Sequence, residues 1–143
     1  MIRPNQITKP MKKIFFLLLI TLAVVSCSKK SDTSSEFTNS LTLGTGLNPN
    51  NLFELTGAGT SFTAPAVLYF RLESANDMAG SAVRLKIDQQ DGTPIFSQDY
   101  PSPSSYGHIF LSNFTLTRTG SYVATGILVD GLKTVASINF TVN

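Results

Sequence analysis

From residue 41 onward, apolar and polar residues alternate with a period of two in one short stretch after another. No long stretch carries the period of an amphipathic helix. Residues 82–88 are the clearest case: Val83, Leu85 and Ile87 fall on one side of an extended chain, Arg84, Lys86 and Asp88 on the other. That is the signature of a half-buried strand. Asp91-Gly92-Thr93-Pro94 supplies turn chemistry, so residues 95–100 are expected to return beside it as a hairpin partner. Upstream, residues 67–73 set Leu68, Phe70 and Leu72 against Val67, Tyr69 and Arg71, and an earlier strand is expected at 51–56. Downstream, residues 109–117 end in the alternating Phe114-Thr115-Leu116-Thr117. Residues 122–129 and 134–142 make a closing pair across Asp130-Gly131, with Ile138, Phe140 and Val142 facing inward. About seven short strands joined by Gly, Pro and Asp turns, with no helix between them, predict an all-β sandwich of two antiparallel sheets. The domain is expected to cover residues 41–143.

The segment Leu116-Thr117-Arg118-Thr119-Gly120-Ser121-Tyr122-Val123-Ala124 resembles the tyrosine corner of immunoglobulin-like and fibronectin-type domains. There a Gly-x-Tyr precedes the penultimate strand and the phenol bonds back to nearby backbone. Matched residue by residue, Tyr122 is the corner and Gly120 allows the bend. The resemblance implies an immunoglobulin-like antiparallel sandwich. The Cys-Trp-Cys core of antibody domains is missing, since the domain has neither a Trp nor a Cys.

Ahead of this domain the pattern changes. Lys12 and Lys13 precede an uncharged run of twelve residues, 14–25, too short for the roughly 20 of a spanning helix. A basic end, a short apolar stretch and small residues at its close make a secretory signal. The stretch Leu22-Ala23-Val24-Val25-Ser26-Cys27 resembles the lipobox of bacterial lipoproteins, with Val24, Val25 and Ser26 leading into Cys27. That resemblance implies cleavage after residue 26, a thioether-linked diacylglycerol on Cys27, and further acylation of the new amino terminus. Two or more acyl chains hold firmly, at about 0.8 kcal/mol per buried methylene. Residues 1–10 fit no part of this pattern, and translation is expected to begin at Met11.

Residues 27–40 then read as the lipidated cysteine and a flexible tether, rich in Ser, Lys, Asp and Thr, with Phe37 its one large apolar residue. Such a coil reaches on the order of 20 Å. The precursor has a net charge of +2, but past the leader seven basic residues face nine acidic ones, a net charge of −2. No basic surface for nucleic acid survives. The single cysteine leaves the domain without disulfides, so its apolar core must suffice.

Candidate chemistry is sparse. Nucleophilic catalysis wants a base beside an activated hydroxyl or thiol, and the one histidine, His108, sits in Ser105-Tyr106-Gly107-His108 with no Gly-x-Ser-x-Gly elbow. One His and one lipidated Cys do not make a zinc site. Asp88, Asp91 and Asp99 could offer oxygens to calcium, yet the Asp-x-Asp-x-Asp-Gly loop spacing is absent and an Asp-Gly hairpin turn accounts for them. Asn113-Phe114-Thr115 and Asn139-Phe140-Thr141 match glycosylation acceptors in form only, since both fall inside predicted strands. The loop of most interest is Tyr100-Pro101-Ser102-Pro103-Ser104-Ser105-Tyr106: its prolines stiffen it, and Tyr100 and Tyr106 are candidate ligand contacts.

No metal or cofactor is expected, and no enzyme activity. The leader and the Ser-Lys-Lys-Ser-Asp following Cys27 resemble small lipoproteins of the Bacteroidetes. That implies an outer-membrane, lipid-anchored protein of the cell envelope, a non-catalytic binding or structural module facing either the periplasm or the surface. A glycan-binding lipoprotein of a polysaccharide-utilisation system is the alternative; it requires Tyr100 or Tyr106 exposed beside a groove. The expected partners are the bilayer, through acylated Cys27, and an envelope protein or glycan.

Overall fold

The computed structural model describes residues 36–101 and 107–143, and the described residues form ten strands and one 3-10 turn. In chain order the strands are β1 (Ser40–Gly44), β2 (Gly46–Asn48), β3 (Asn51–Thr56), β4 (Ser61–Phe62), β5 (Ala66–Glu73), β6 (Val83–Gln89), β7 (Pro94–Tyr100), β8 (Ile109–Leu116), β9 (Gly120–Leu128) and β10 (Lys133–Val142). The signal segment 1–26 with Val24, Val25 and Ser26, the lipidation candidate Cys27, and Tyr106 all lie outside the described residues.

Long-range pairing sorts the strands into a three-stranded sheet, β1-β5-β8, a five-stranded sheet, β4-β10-β9-β6-β7, and a small β2-β3 ribbon. The pairs within the large sheets are antiparallel except β4, which runs parallel to the end of β10. The two large sheets pack face to face because each strand has one apolar face. In β5 the even positions Leu68, Phe70 and Leu72 are fully buried, while Val67 stands in solvent. From the opposite sheet come Val83, Leu85 and Ile87 of β6, Tyr122 and Ala124 of β9, and Phe140 and Val142 of β10. Each such Leu, Ile or Phe contributes about 1.5–3 kcal/mol of apolar transfer.

Aromatic rings tie the layers together. Phe70 of β5 lies 5.4 Å from Tyr100, 5.9 Å from Phe110 and 6.3 Å from Phe114, and Phe114 in turn meets Phe140 of the other sheet edge-on at 6.5 Å. Tilted and edge-on contacts of this kind let the negative ring face meet a positive edge.

The predicted strands at 51–56, 67–73, 82–88, 95–100, 109–117, 122–129 and 134–142 all occur, within a residue or two of the expected bounds. Three short strands, β1, β2 and β4, are additional. The expected two-residue turn at Asp130-Gly131 is instead a 3-10 turn, Asp130–Leu132, and β10 is bulged between Thr134 and Ala136. The bulge absorbs the extra residue that the wider turn introduces.

Chain docked on the domain also reaches back before residue 41. The Phe37 ring stacks on His108 with centroids 4.4 Å apart, the Thr38 amide donates to Glu73 Oε1 at 2.6 Å, and the Ala75 amide donates to Asn39 Oδ1 at 2.9 Å. Residues 37–39, expected as tether, are therefore held against the domain.

At the start of β9, the Tyr122 phenol donates to the Arg118 carbonyl at 2.8 Å and approaches that of Thr119 at 3.3 Å. This is the back-bonding geometry of a corner tyrosine. Its ring lies over Gly120, whose φ of 155° suits glycine and where a Cβ would stand 3.1 Å from the phenol oxygen.

Candidate functional site

Tyr100 is buried, not exposed beside a groove as the glycan reading requires. As the last residue of β7 it pairs with the buried Val83, so its side chain takes the inward face of the pleat, and it is 9% exposed. Its hydroxyl donates to the Asn113 carbonyl at 3.0 Å, and burial pushes the phenol's pKa above its ordinary value of 10.0. The glycan reading thus loses one of its two stacking residues, and the other, Tyr106, is outside the described residues.

Six charged side chains of β5, β6 and β7 are paired with one another. Arg84 grips Asp99 on the neighbouring strand by two parallel bonds of 2.6 and 2.9 Å. The Arg84 hydrogen bond holds the Asp99 carboxyl below its ordinary range, and the same bond raises the guanidinium. Lys86 Nζ meets Asp88 Oδ2 at 2.7 Å, while Asp88 Oδ1 is buried without a partner. Arg71 Nη2 meets Glu73 Oε2 at 2.7 Å. The third candidate calcium oxygen source, Asp91, accepts the Thr93 amide at 2.9 Å within its own turn, and that bond lowers its pKa. Asp88, Asp91 and Asp99 are therefore held by three separate local partners. Among the described residues no group of three or more His, Cys, Asp or Glu side chains converges as a metal site would. His108 is held in place: Phe37 stacks on one face of its ring and Nδ1 lies 3.0 Å from the Ser74 carbonyl.

Two surface features were not foreseen from the sequence. The first is a cleft of about 360 Å³ between the start of β7 and the end of β8, lined by Pro94, Ile95 and Phe96 on one side and Thr115, Leu116, Thr117 and Arg118 on the other. It exists because β7 and β8 are each the last strand of their sheet, so the sandwich is open between them. The second is apolar surface beside the outer face of the three-stranded sheet. The β2-β3 ribbon lies next to that sheet: Arg71 Nε donates to the Phe53 carbonyl at 2.8 Å, and the Thr45 amide to the Thr56 carbonyl at 2.9 Å. The ribbon exposes Leu47, Leu52 and Phe53, Leu52 to 64%, and Val67 of β5 is 53% exposed. Leu52-Phe53 reads in the sequence as part of an ordinary strand; nothing local says that Leu52 would stand in solvent.

No family profile matches the sequence, and no curated protein aligns with it. A solved structure similar to it is the soluble domain of PmoD from a Methylocystis species, strain Rockwell, with a TM-score of 0.44 and 13% identity, covering 72% of this chain and 89% of that one.

Proposed function

We propose that this chain is a lipid-anchored protein of the bacterial cell envelope, whose one domain is an immunoglobulin-like sandwich acting as a non-catalytic binding or structural module. The observation that carries the anchor is Val24-Val25-Ser26-Cys27, standing where an apolar run opened by Lys12 and Lys13 ends. The immunoglobulin-like assignment is supported by the strand orders β1-β5-β8 and β4-β10-β9-β6-β7 together with the corner bond of Tyr122. A binding or structural role, rather than a reaction, is part of the same proposal. The outer membrane is the proposed site, by likeness of the leader and of the residues after Cys27 to Bacteroidetes lipoproteins.

The test is metabolic labelling with palmitate in a Gram-negative host. Label should enter the full-length protein and be absent from Cys27→Ser, which should also leave the membrane fraction. Label that persists in Cys27→Ser would remove the anchor.

A further inference from the structure

We infer that the open edge of β8 receives an extended segment of a partner polypeptide by strand addition, with an acidic residue of that segment meeting Arg118. The inference deepens the binding-module reading and stands on the sandwich alone, independent of any lipid on Cys27.

Two hydrogen bonds fix which backbone groups of β8 face outward. Residues of an antiparallel strand point their N–H and C=O alternately to one neighbour and the other. The Gly59 amide donates to the Leu43 carbonyl from outside β1, so Thr42 and Gly44 pair inward with Arg71 and Tyr69. That leaves Leu68, Phe70 and Leu72 to pair with Phe114, Ser112 and Phe110. Leu111, Asn113 and Thr115 must then point away from β5. The Tyr100 phenol, reaching the Asn113 carbonyl from β7, agrees. That carbonyl keeps its second lone pair, and no described strand lies beyond β8 to take the Leu111 and Thr115 groups.

Sandwich edges are normally defended by brevity, charge, proline, bulges or a covering segment, and the other edges here are. β4 is two residues long. β1 is flanked by the β2-β3 ribbon and by Gly59. β7 opens on Pro94, is followed by Pro101, carries Asp99 and is bulged against β6. Among the described residues, the cover on β8 is the Tyr100 phenol at Asn113: Ile-Phe-Leu-Ser-Asn-Phe-Thr-Leu holds no charge and no proline, and pairs with β5 through all eight residues without a register shift. An undefended flat edge is a template for another strand.

The surroundings select the occupant. A strand laid along β8 would turn alternate side chains into the cleft of about 360 Å³, where Phe96 and Leu116 stand beside the hydroxyls of Thr115 and Thr117, which suits small side chains such as valine and threonine. Arg118 lines the same cleft with its side chain exposed, and it belongs to none of the ion pairs that engage Arg71 and Arg84. Its charge calls for an acidic group at the end of β8. With antiparallel pairing, as on the β5 side, that group is at the amino end of the incoming strand.

The probe is a synthetic acetylated peptide beginning with aspartate and then alternating valine and threonine, beside a version beginning with lysine, added to the full-length protein in detergent micelles. Hydrogen exchange at the Leu111 and Thr115 amides should be fast in the free protein and slow by about tenfold or more with the aspartate peptide. That peptide should bind roughly two- to five-fold more tightly than the lysine version, the range of an exposed ion pair, and Arg118→Glu should reverse the order. Thr115→Pro removes one outward N–H at a site where an edge strand accepts proline; it should abolish binding without moving the thermal midpoint. Should that variant unfold, exchange in the unaltered protein decides alone. Slow exchange at both amides in the free protein, protection of another strand, or no binding by either peptide would overturn the inference. So would concentration-dependent protection without peptide, which would place a second copy on the edge. Palmitate labelling is blind to all of these outcomes, so a failure here is separable from a failure of the anchor.

Discussion

Gly126 of β9 faces Leu72 of β5 across the core with no room for a Cβ between them. An added Cβ would overlap Leu72 Cδ1 and stand 3.1 Å from Cδ2 and 3.3 Å from Cγ. Leu72 is fully buried and cannot swing away without displacing its neighbours. Gly126→Ala should therefore lower unfolding free energy by about 1–3 kcal/mol in urea titrations. Leu72→Ala alone should cost about 2–5 kcal/mol, and the double variant should cost less than the two together by at least about 0.5 kcal/mol. Strict additivity would mean that the two residues do not share this space.

The corner can be tested one atom at a time. Tyr122→Phe removes the donor to the Arg118 and Thr119 carbonyls and keeps the ring against Phe140, 5.4 Å away. The expected loss is about 0.5–1.5 kcal/mol, the net worth of one hydrogen bond. Gly120→Ala should cost about 1–3 kcal/mol, because it places a side chain at a φ of 155° under that ring. A Gly120→Ala protein as stable as the parent would contradict the described backbone.

Docking of residues 37–39 should be acid-sensitive. The Glu73 carboxyl lies below its ordinary value of 4.5, chiefly because the Thr38 amide donates to it, with Arg71 adding to the effect and partial burial opposing it. A depressed carboxyl favours the charged, docked state. Its stabilising contribution is complete above the ordinary value and disappears as pH falls through the lower folded one. The Thr38 amide resonance should therefore move on acidification with a midpoint under 4.5, and Glu73→Gln should flatten the curve. A midpoint above the ordinary carboxylate value would reverse the sign and refute this account.

Tyr100 gives the complementary prediction at alkaline pH. Burial raises its pKa, so the neutral phenol is favoured by folding and the contribution is lost as pH climbs through the folded value. Phenolate absorbance should contain a component that titrates above the ordinary value of 10.0; Tyr100→Phe should remove that component. A spectrum that Tyr100→Phe changes only at or below 10.0 would mean that Tyr100 is open to solvent.

What could be read from the chain depended on whether the deciding contacts were local. β5 and β6 were legible because Leu68-x-Phe70-x-Leu72 and Val83-x-Leu85-x-Ile87 carry their own periodicity. β1 has the same alternation in Leu41 and Leu43, but it is five residues long and follows the Ser-rich tract, and β4 is too short for any period. Tyr100 closes the expected strand 95–100, but its burial was not legible, because its parity follows from pairing with Val83 on another strand while Pro101 and Pro103 beside it mark a loop. The open side of the sandwich was illegible for the same reason. Which strand ends a sheet is decided by long-range pairing, and nothing inside Ile109–Leu116 announces that one flank of β8 goes without a neighbour.

The parallel pair β4-β10 has a mechanical consequence. The Thr141 amide donates to the Thr60 carbonyl, the Asn143 amide to the Phe62 carbonyl, and the Ala64 amide to the Asn143 carbonyl, each at 2.8 Å. β1 starts, and β10 ends, at opposite ends of the sandwich, so tension between Ser40 and Val142 runs along the strands. Such a pull loads these bonds, and those joining β1 to β5, in shear rather than peeling them open one by one. Drawn out lengthwise, the domain should therefore give way in one step at high force and not strand by strand.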